Sequence, residues 1–208
     1  MRNNLRYIFA GFITSIAVVV ILYIVVNTDI RGSGSMVTTN REGQPMPGPE
    51  QKKIEALRVI NGSIKKTYDS GDTKGAIEKC IALIKKDKNN MDTRVLLGEF
   101  YTGTGEFQKA GDVLKDALII NPGSSWGLRA MGSLLYAENK LKASEEYFEK
   151  AVQSGSKIDA GWAYIGLAKV YLKTGKTQDM LASVAKAKRS DPENKDLANV
   201  ADYISKQR

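Results

Sequence analysis

The chain has 208 residues, with 31 Lys and Arg against 23 Asp and Glu, a net charge of +8, one Cys and no His. Without histidine there is no imidazole base, no serine–histidine–aspartate triad and no histidine metal ligand. One cysteine cannot form an intramolecular disulfide, a zinc ribbon or an iron–sulfur site, so hydrolase, redox and zinc chemistry are disfavoured and neither a cofactor nor a metal is expected.

Residues 1–6 contain Arg2 and Arg6 and are expected in the cytoplasm. Tyr7 to Val26 follows as 20 residues without a charge. At about 1.5 Å per residue such a helix crosses a hydrocarbon core of about 30 Å. Tyr7 and Tyr23 stand near its ends, where amphipathic rings favour the interface. A cleaved signal peptide would have a shorter apolar run and a small-x-small site. The run instead exits through Val25-Val26-Asn27-Thr28-Asp29, which points to an uncleaved signal-anchor. After the run, Arg31 is the only basic residue before Arg41. The positive-inside rule therefore places the N-terminus in the cytoplasm and the remainder across the membrane, which in a Gram-negative bacterium is the periplasm.

Residues 27–50 read as a tether. Gly32-Ser33-Gly34-Ser35 makes its first half flexible, and Pro45, Pro47 and Pro49 extend its second half. As a coil it would span about 25–30 Å, a spacer without chemistry.

From residue 51 the chain repeats. Gly71, Gly105, Asn139 and Gly175 recur at a period of 34 to 36, each between two stretches of helical apolar pattern. Ala76, Ala110, Ser144 and Met180 keep that register, as do Leu83, Ala117, Ala151 and Ala187. Small residues let two antiparallel helices approach, and Gly or Asn can end the first of them in the left-handed conformation. Pro122 and Pro192 fit just before or at the start of a following helix. Cys80, set among Ala76, Ile81 and Ile84, reads as a small core residue.

These residues resemble the tetratricopeptide repeat. Its pattern runs through a large residue, Leu-Gly, Tyr, a turn Gly, Ala, a bulky apolar residue, Ala and Pro every 34 residues. The unit from Met91 to Ser124 fits best, with Leu97-Gly98, Tyr101, the turn Thr104 to Phe107 and the end Asn121 to Ser124. The first unit, about Leu57 to Asn90, departs with Ser63-Ile64 in place of Leu-Gly and Lys88 in place of the proline. The third, about Ser125 to Ala160, has Asn139 at its turn and two extra residues near Ser154-Gly155-Ser156. The fourth, about Gly161 to Asn194, has Met180 in place of Ala. The resemblance implies an all-α solenoid of about four helix pairs over 51–194. Residues 195–208, with Leu197, Val200-Ala201 and Ile204, read as a capping helix.

The resemblance also implies a concave groove, lined by the first helix of each pair, that holds a peptide or a partner's helix. Carried over position by position, its exposed lining is Asn61, Lys65 and Tyr68 in the first unit and Asp92, Val95, Glu99 and Thr102 in the second. The third unit supplies Trp126, Arg129, Ser133 and Tyr136, and the fourth Trp162, Ile165 and Lys169. Trp, Tyr and Arg are the types that most often anchor interfaces, but both tryptophans fit equally as packing between repeats. A chaperone-type carboxylate clamp does not match. Asn61 and Lys65 stand in swapped order, and Leu96, Trp126 and Ala130 fill the later places.

From Gln51 onward Lys and Arg number 27 against 20 Asp and Glu. Most of these charges read as a solvated face. A site for an acidic partner and attraction to anionic headgroups are the other readings. No nucleic-acid motif is present, and nucleic acid is not expected. Glu145, Glu146 and Glu149 mix with Lys142 and Lys150 like surface pairs, and Gly103-Thr104-Gly105-Glu106 lacks the lysine of a phosphate loop, so no enzyme is expected. The expected function is that of a membrane-anchored interaction scaffold in assembly of an envelope complex, for secretion, pilus or cytochrome maturation. An organelle import receptor with cytosolic repeats and a self-assembling scaffold that forms homo-oligomers are the alternatives.

Overall fold

The computed structural model describes residues 48–155, 157–192 and 197. The expected span Tyr7 to Val26, the tether before Gly48 and the closing segment beyond Pro192, Leu197 excepted, lie outside the described residues. Among those described, no helix is long and apolar enough to cross a membrane. The chain divides between Ile54 and Glu55 into two units. Of the first, residues 48–54 are described; they open a helix and leave Ile54 exposed.

The described residues form eight helices and no strand. They are α1 (Pro49–Asp69), α2 (Thr73–Lys86), α3 (Met91–Gly103), α4 (Phe107–Ile120), α5 (Ser125–Ala137), α6 (Leu141–Ser154), α7 (Lys157–Lys173) and α8 (Thr177–Ser190). In the second unit they stack as helix pairs.

The turns inside the second, third and fourth pairs share one construction. The Glu106 N–H donates to the Tyr101 carbonyl at 2.9 Å, Lys140 to Leu135 at 2.8 Å and Lys176 to Tyr171 at 2.9 Å. Each spans five residues. It is accompanied by a three-residue bond from Gly105 to Thr102, Asn139 to Tyr136 or Gly175 to Leu172. This pattern is the Schellman closure, and it demands a left-handed residue just past the helix end. Gly105, Asn139 and Gly175 take φ of 80°, 61° and 73°. Asn139 serves because asparagine tolerates that region better than other side chains. Between pairs, side chains cap the next helix instead. Asn90 Oδ1 accepts from the Thr93 N–H at 3.0 Å, and Ser124 Oγ accepts from the Gly127 N–H at 3.1 Å. Pro122 sits in the turn before α5, clear of any helical hydrogen bond.

The core is set by size matching at one recurring pair of positions, one on each helix of a pair. The second unit has Gly98 facing Leu114, where an added Cβ would lie 2.5 Å from Leu114 Cγ. The third has Gly132 facing Phe148, with the corresponding distance 2.9 Å to Phe148 Cδ1. At the same register the fourth unit has Ala168 and Val184, which share one cluster. The first has Ile64 and Cys80, both buried in the largest cluster. The missing Leu-Gly of the first unit is thus a reversal of size, with the large residue moved to the other helix. Ser144, buried where the first two units have Ala, donates to the Gly132 carbonyl at 2.8 Å. Helix α7 is extended at its start to 17 residues where α3 and α5 have 13, taking up the two extra residues of the third unit and a connection two residues shorter than that before α5. Leu197 packs against the cluster of Ile165, Ala168, Met180 and Ala187.

Candidate functional site

Curvature follows from which helices touch. Helices α3, α5 and α7 contact one another in succession. Among the described helices, α2, α4, α6 and α8 make no contact with each other, only with members of the first set. The first helices of the pairs are therefore the closer set, and they line the concave side.

Along that side the positions 61, 95, 129 and 165 are equivalent. Asn61, Val95 and Ile165 are 7%, 0% and 3% exposed, which corrects the expectation that they face solvent in the groove, although Ile165 still lines a pocket there. Asn61 Oδ1 accepts from Thr93 Oγ1 at 2.9 Å, a hydrogen bond between neighbouring repeats that satisfies both buried groups. Arg129, with the longest side chain of the four, alone reaches out of this floor.

The remaining first-unit residues do not join the site either. Lys65 pairs along its own helix with Asp69 at 3.2 Å and is largely exposed. Tyr68 stacks on Phe100 with ring centroids 4.1 Å apart and planes 4° apart, so its ring belongs to the packing between repeats. Thr102 Oγ1 donates to the Gly98 carbonyl of its own helix at 2.8 Å, and Asp92 is exposed at the start of α3.

The C-terminal half of the face is different. Glu99 Oε1 accepts from Trp126 Nε1 at 3.0 Å and from Arg129 Nη2 at 3.2 Å. The Arg129 guanidinium also stands over the Trp162 ring, 6.0 Å from its centroid. One line of side chains thus runs across α3, α5 and α7. Beside it lies a pocket of about 200 Å³ lined by Arg129, Ser133, Tyr136, Phe148, Trp162, Ile165, Gly166 and Lys169. Trp126 is half-buried and packs on the largest core cluster, whereas Trp162 is 36% exposed. Lys173 Nζ lies 5.0 Å from the Tyr136 ring centroid at the edge of the pocket. The structure therefore brings Glu99, Trp126, Arg129, Ser133, Tyr136, Trp162 and Lys169 together and leaves Asn61, Lys65 and Tyr68 apart.

Sequence reasoning missed Phe148, Gly166 and Lys173. Phe148 comes from α6, on the other side of the stack, and reaches the groove because Gly132 and Gly166 leave space for its ring. The sequence signal was available in two glycines at buried first-helix positions flanking one aromatic residue. Lys173 stands one helical turn beyond Lys169.

A second concavity, of about 330 Å³, includes Glu149, Tyr164, Tyr171, Asp179 and Lys186. Its rings already carry cations of the chain itself, with Lys186 Nζ 5.4 Å from the Tyr164 centroid and Lys176 Nζ 5.2 Å from that of Tyr171. Burial, helped by a hydrogen bond to Glu145, pushes the Tyr171 phenol up to about 12. Lys176 pairs with the same Glu145 at 3.3 Å. These contacts tie α6 to the turn between α7 and α8.

Residues 68–132 match the family model of the tetratricopeptide repeat. No curated protein matches the chain significantly. Among solved structures, it resembles a thermophilic tetratricopeptide-repeat protein of Thermus thermophilus, with 22% identity and a TM-score of 0.63 over 70% of this chain and 79% of that one. It also resembles pilF of Pseudomonas aeruginosa, with 18% identity and a TM-score of 0.63 over 76% and 71% of the two chains. MamA follows at 24% identity and a TM-score of 0.51, over 62% and 74%. The described helix pairs stack in a tetratricopeptide-type solenoid fold, with the family match over residues 68–132.

Proposed function

We propose that the chain is a membrane-anchored, non-enzymatic scaffold that holds a segment of a partner protein along its concave face, during assembly of a complex in the cell envelope. The observation that carries this reading is the C-terminal half of that face. Both tryptophans of the chain stand there with Arg129, beside an open pocket. Aromatic and arginine side chains at the centre of a concavity are what interface anchors require. The uncharged run from Tyr7 to Val26 supports the anchor, and the basic residues before it support a cytoplasmic N-terminus with the repeats in the periplasm.

A photo-crosslinking residue placed at Ser133 in the full chain tests the groove. The expected result is one defined adduct, absent when the same residue is placed at exposed Lys115 on α4. Equal labelling from both positions would remove the groove from consideration. Carbonate extraction and a reporter fused after Arg208 test the anchor and its orientation. Release by carbonate, or a reporter active in the cytoplasm, would overturn that part.

A further inference from the structure

The charges around the groove pocket are unbalanced. Arg129 and Lys169 line it and Lys173 stands at its edge, while Glu99 supplies the opposing carboxylate through its contact with Arg129. Lys169 is exposed and has no ionic or hydrogen-bond partner among the described residues. The floor below is apolar, formed by buried Phe148 and Ile165 at 3% exposure each. Gly132 and Gly166 place no side chain over the Phe148 ring.

We infer that the occupant of this face is an acidic segment of the partner protein, with carboxylates set against Arg129, Lys169 and Lys173 and one bulky apolar side chain seated over Phe148 and Ile165. The inference rests on the groove reading above and adds the chemistry of its ligand. Glu99 plays a defined part in it. One of its carboxylate oxygens already takes the donors of both Trp126 and Arg129, as a carboxylate of the ligand would. It therefore orients the two side chains and at the same time repels the incoming acid, holding affinity below what the cations alone would give. Removing its charge strengthens binding, whereas removing Lys169 weakens it.

The test uses the full chain in detergent and its own fluorescence, since its two tryptophans both lie on this face. Three capped peptides serve as probes: Asp and Glu residues around a central Phe, the same peptide with Lys in place of every acid, and the acidic peptide with Ala in place of Phe. The acidic Phe peptide is expected to bind at least about tenfold more tightly than either of the others. Lys169→Glu is expected to weaken it about tenfold or more with an unchanged melting temperature, and Lys169→Met to weaken it less. Glu99→Gln is expected to tighten it about fivefold. Preference for the basic peptide, or no effect of Lys169→Glu, overturns the acidic ligand and leaves the groove standing. If none of the three peptides alters the fluorescence and Ser133 forms no adduct, the inference and the groove reading fall together.

Discussion

The Phe148 ring lies against the bare backbone of Gly166, so closely that a methyl group at that Cα would collide with the ring edge. Phe148 belongs to the third repeat and Gly166 to the fourth. The same ring faces Gly132 of its own repeat. One side chain therefore spans the joint between two repeats and floors the groove pocket. Overfilling such a contact costs about 1–3 kcal/mol.

Gly166→Ala is expected to lower stability by about 2 kcal/mol, and adding Phe148→Leu to recover part of that loss. Urea unfolding of the single and double variants measures both. Additive losses would show that the two residues do not share the contact.

The pairing of Ile64 with Cys80 reverses the sizes found at Gly98 and Leu114. Ile64→Gly should cost several kcal/mol through its cavity, and Cys80→Leu about 1–3 kcal/mol through overpacking. The double variant reproduces the pair of the second unit. It should be more stable than the sum of the singles predicts, by about 1 kcal/mol or more. A strictly additive result counts against the size exchange.

Cys80 is fully buried, and burial pushes its thiol from 9.0 up to about 12. The folded chain keeps this proton where the unfolded chain releases it. Its contribution to stability is therefore complete below pH 9 and is lost as pH rises toward about 12. Cys80→Ala should show a shallower decline over that window. At pH 8 the native thiol should resist a maleimide that labels the urea-unfolded chain at once. Rapid labelling of the native chain would refute the buried position.

Asn139 holds φ of 61° at the turn of the third repeat. Asn139→Gly is expected to be neutral or slightly stabilising, while Asn139→Ala loses about 1 kcal/mol. Equal melting temperatures for the two would show that the left-handed residue contributes nothing.

Trp126 combines core contact with a hydrogen bond to Glu99. Trp126→Phe keeps most of the packing and loses the donor, so it should bind partner more weakly at nearly constant melting temperature. Trp126→Ala should lose both, with about 3 kcal/mol of stability. If Trp126→Phe binds normally, the indole N–H has no part in the site.

The repeats were legible because the turn closures demand Gly or Asn at one register, and Gly71, Gly105, Asn139 and Gly175 announce it without reference to the rest of the fold. The pocket was half legible. Trp126, Arg129, Tyr136 and Trp162 stand out at first-helix positions, but Phe148 reads as an ordinary core residue until the glycines across from it are placed in space. Asn61 misled for a related reason. A polar residue at that register suggests solvent, and only the neighbouring helix shows that Thr93 satisfies it in the interior.

The unequal contacts on the two sides of the stack have a mechanical consequence. Neighbouring first helices bear on one another, while the second helices stand clear of each other. Bending that spreads the outer helices breaks no contact between them, whereas flattening the inner row must separate packed side chains. Opening is therefore resisted along the row of first helices, and tighter closure where each second helix packs on the first helix of the next repeat. The joint between the third and fourth repeats, filled by Phe148 against Gly166, is one place where separating the repeats must break packed contact.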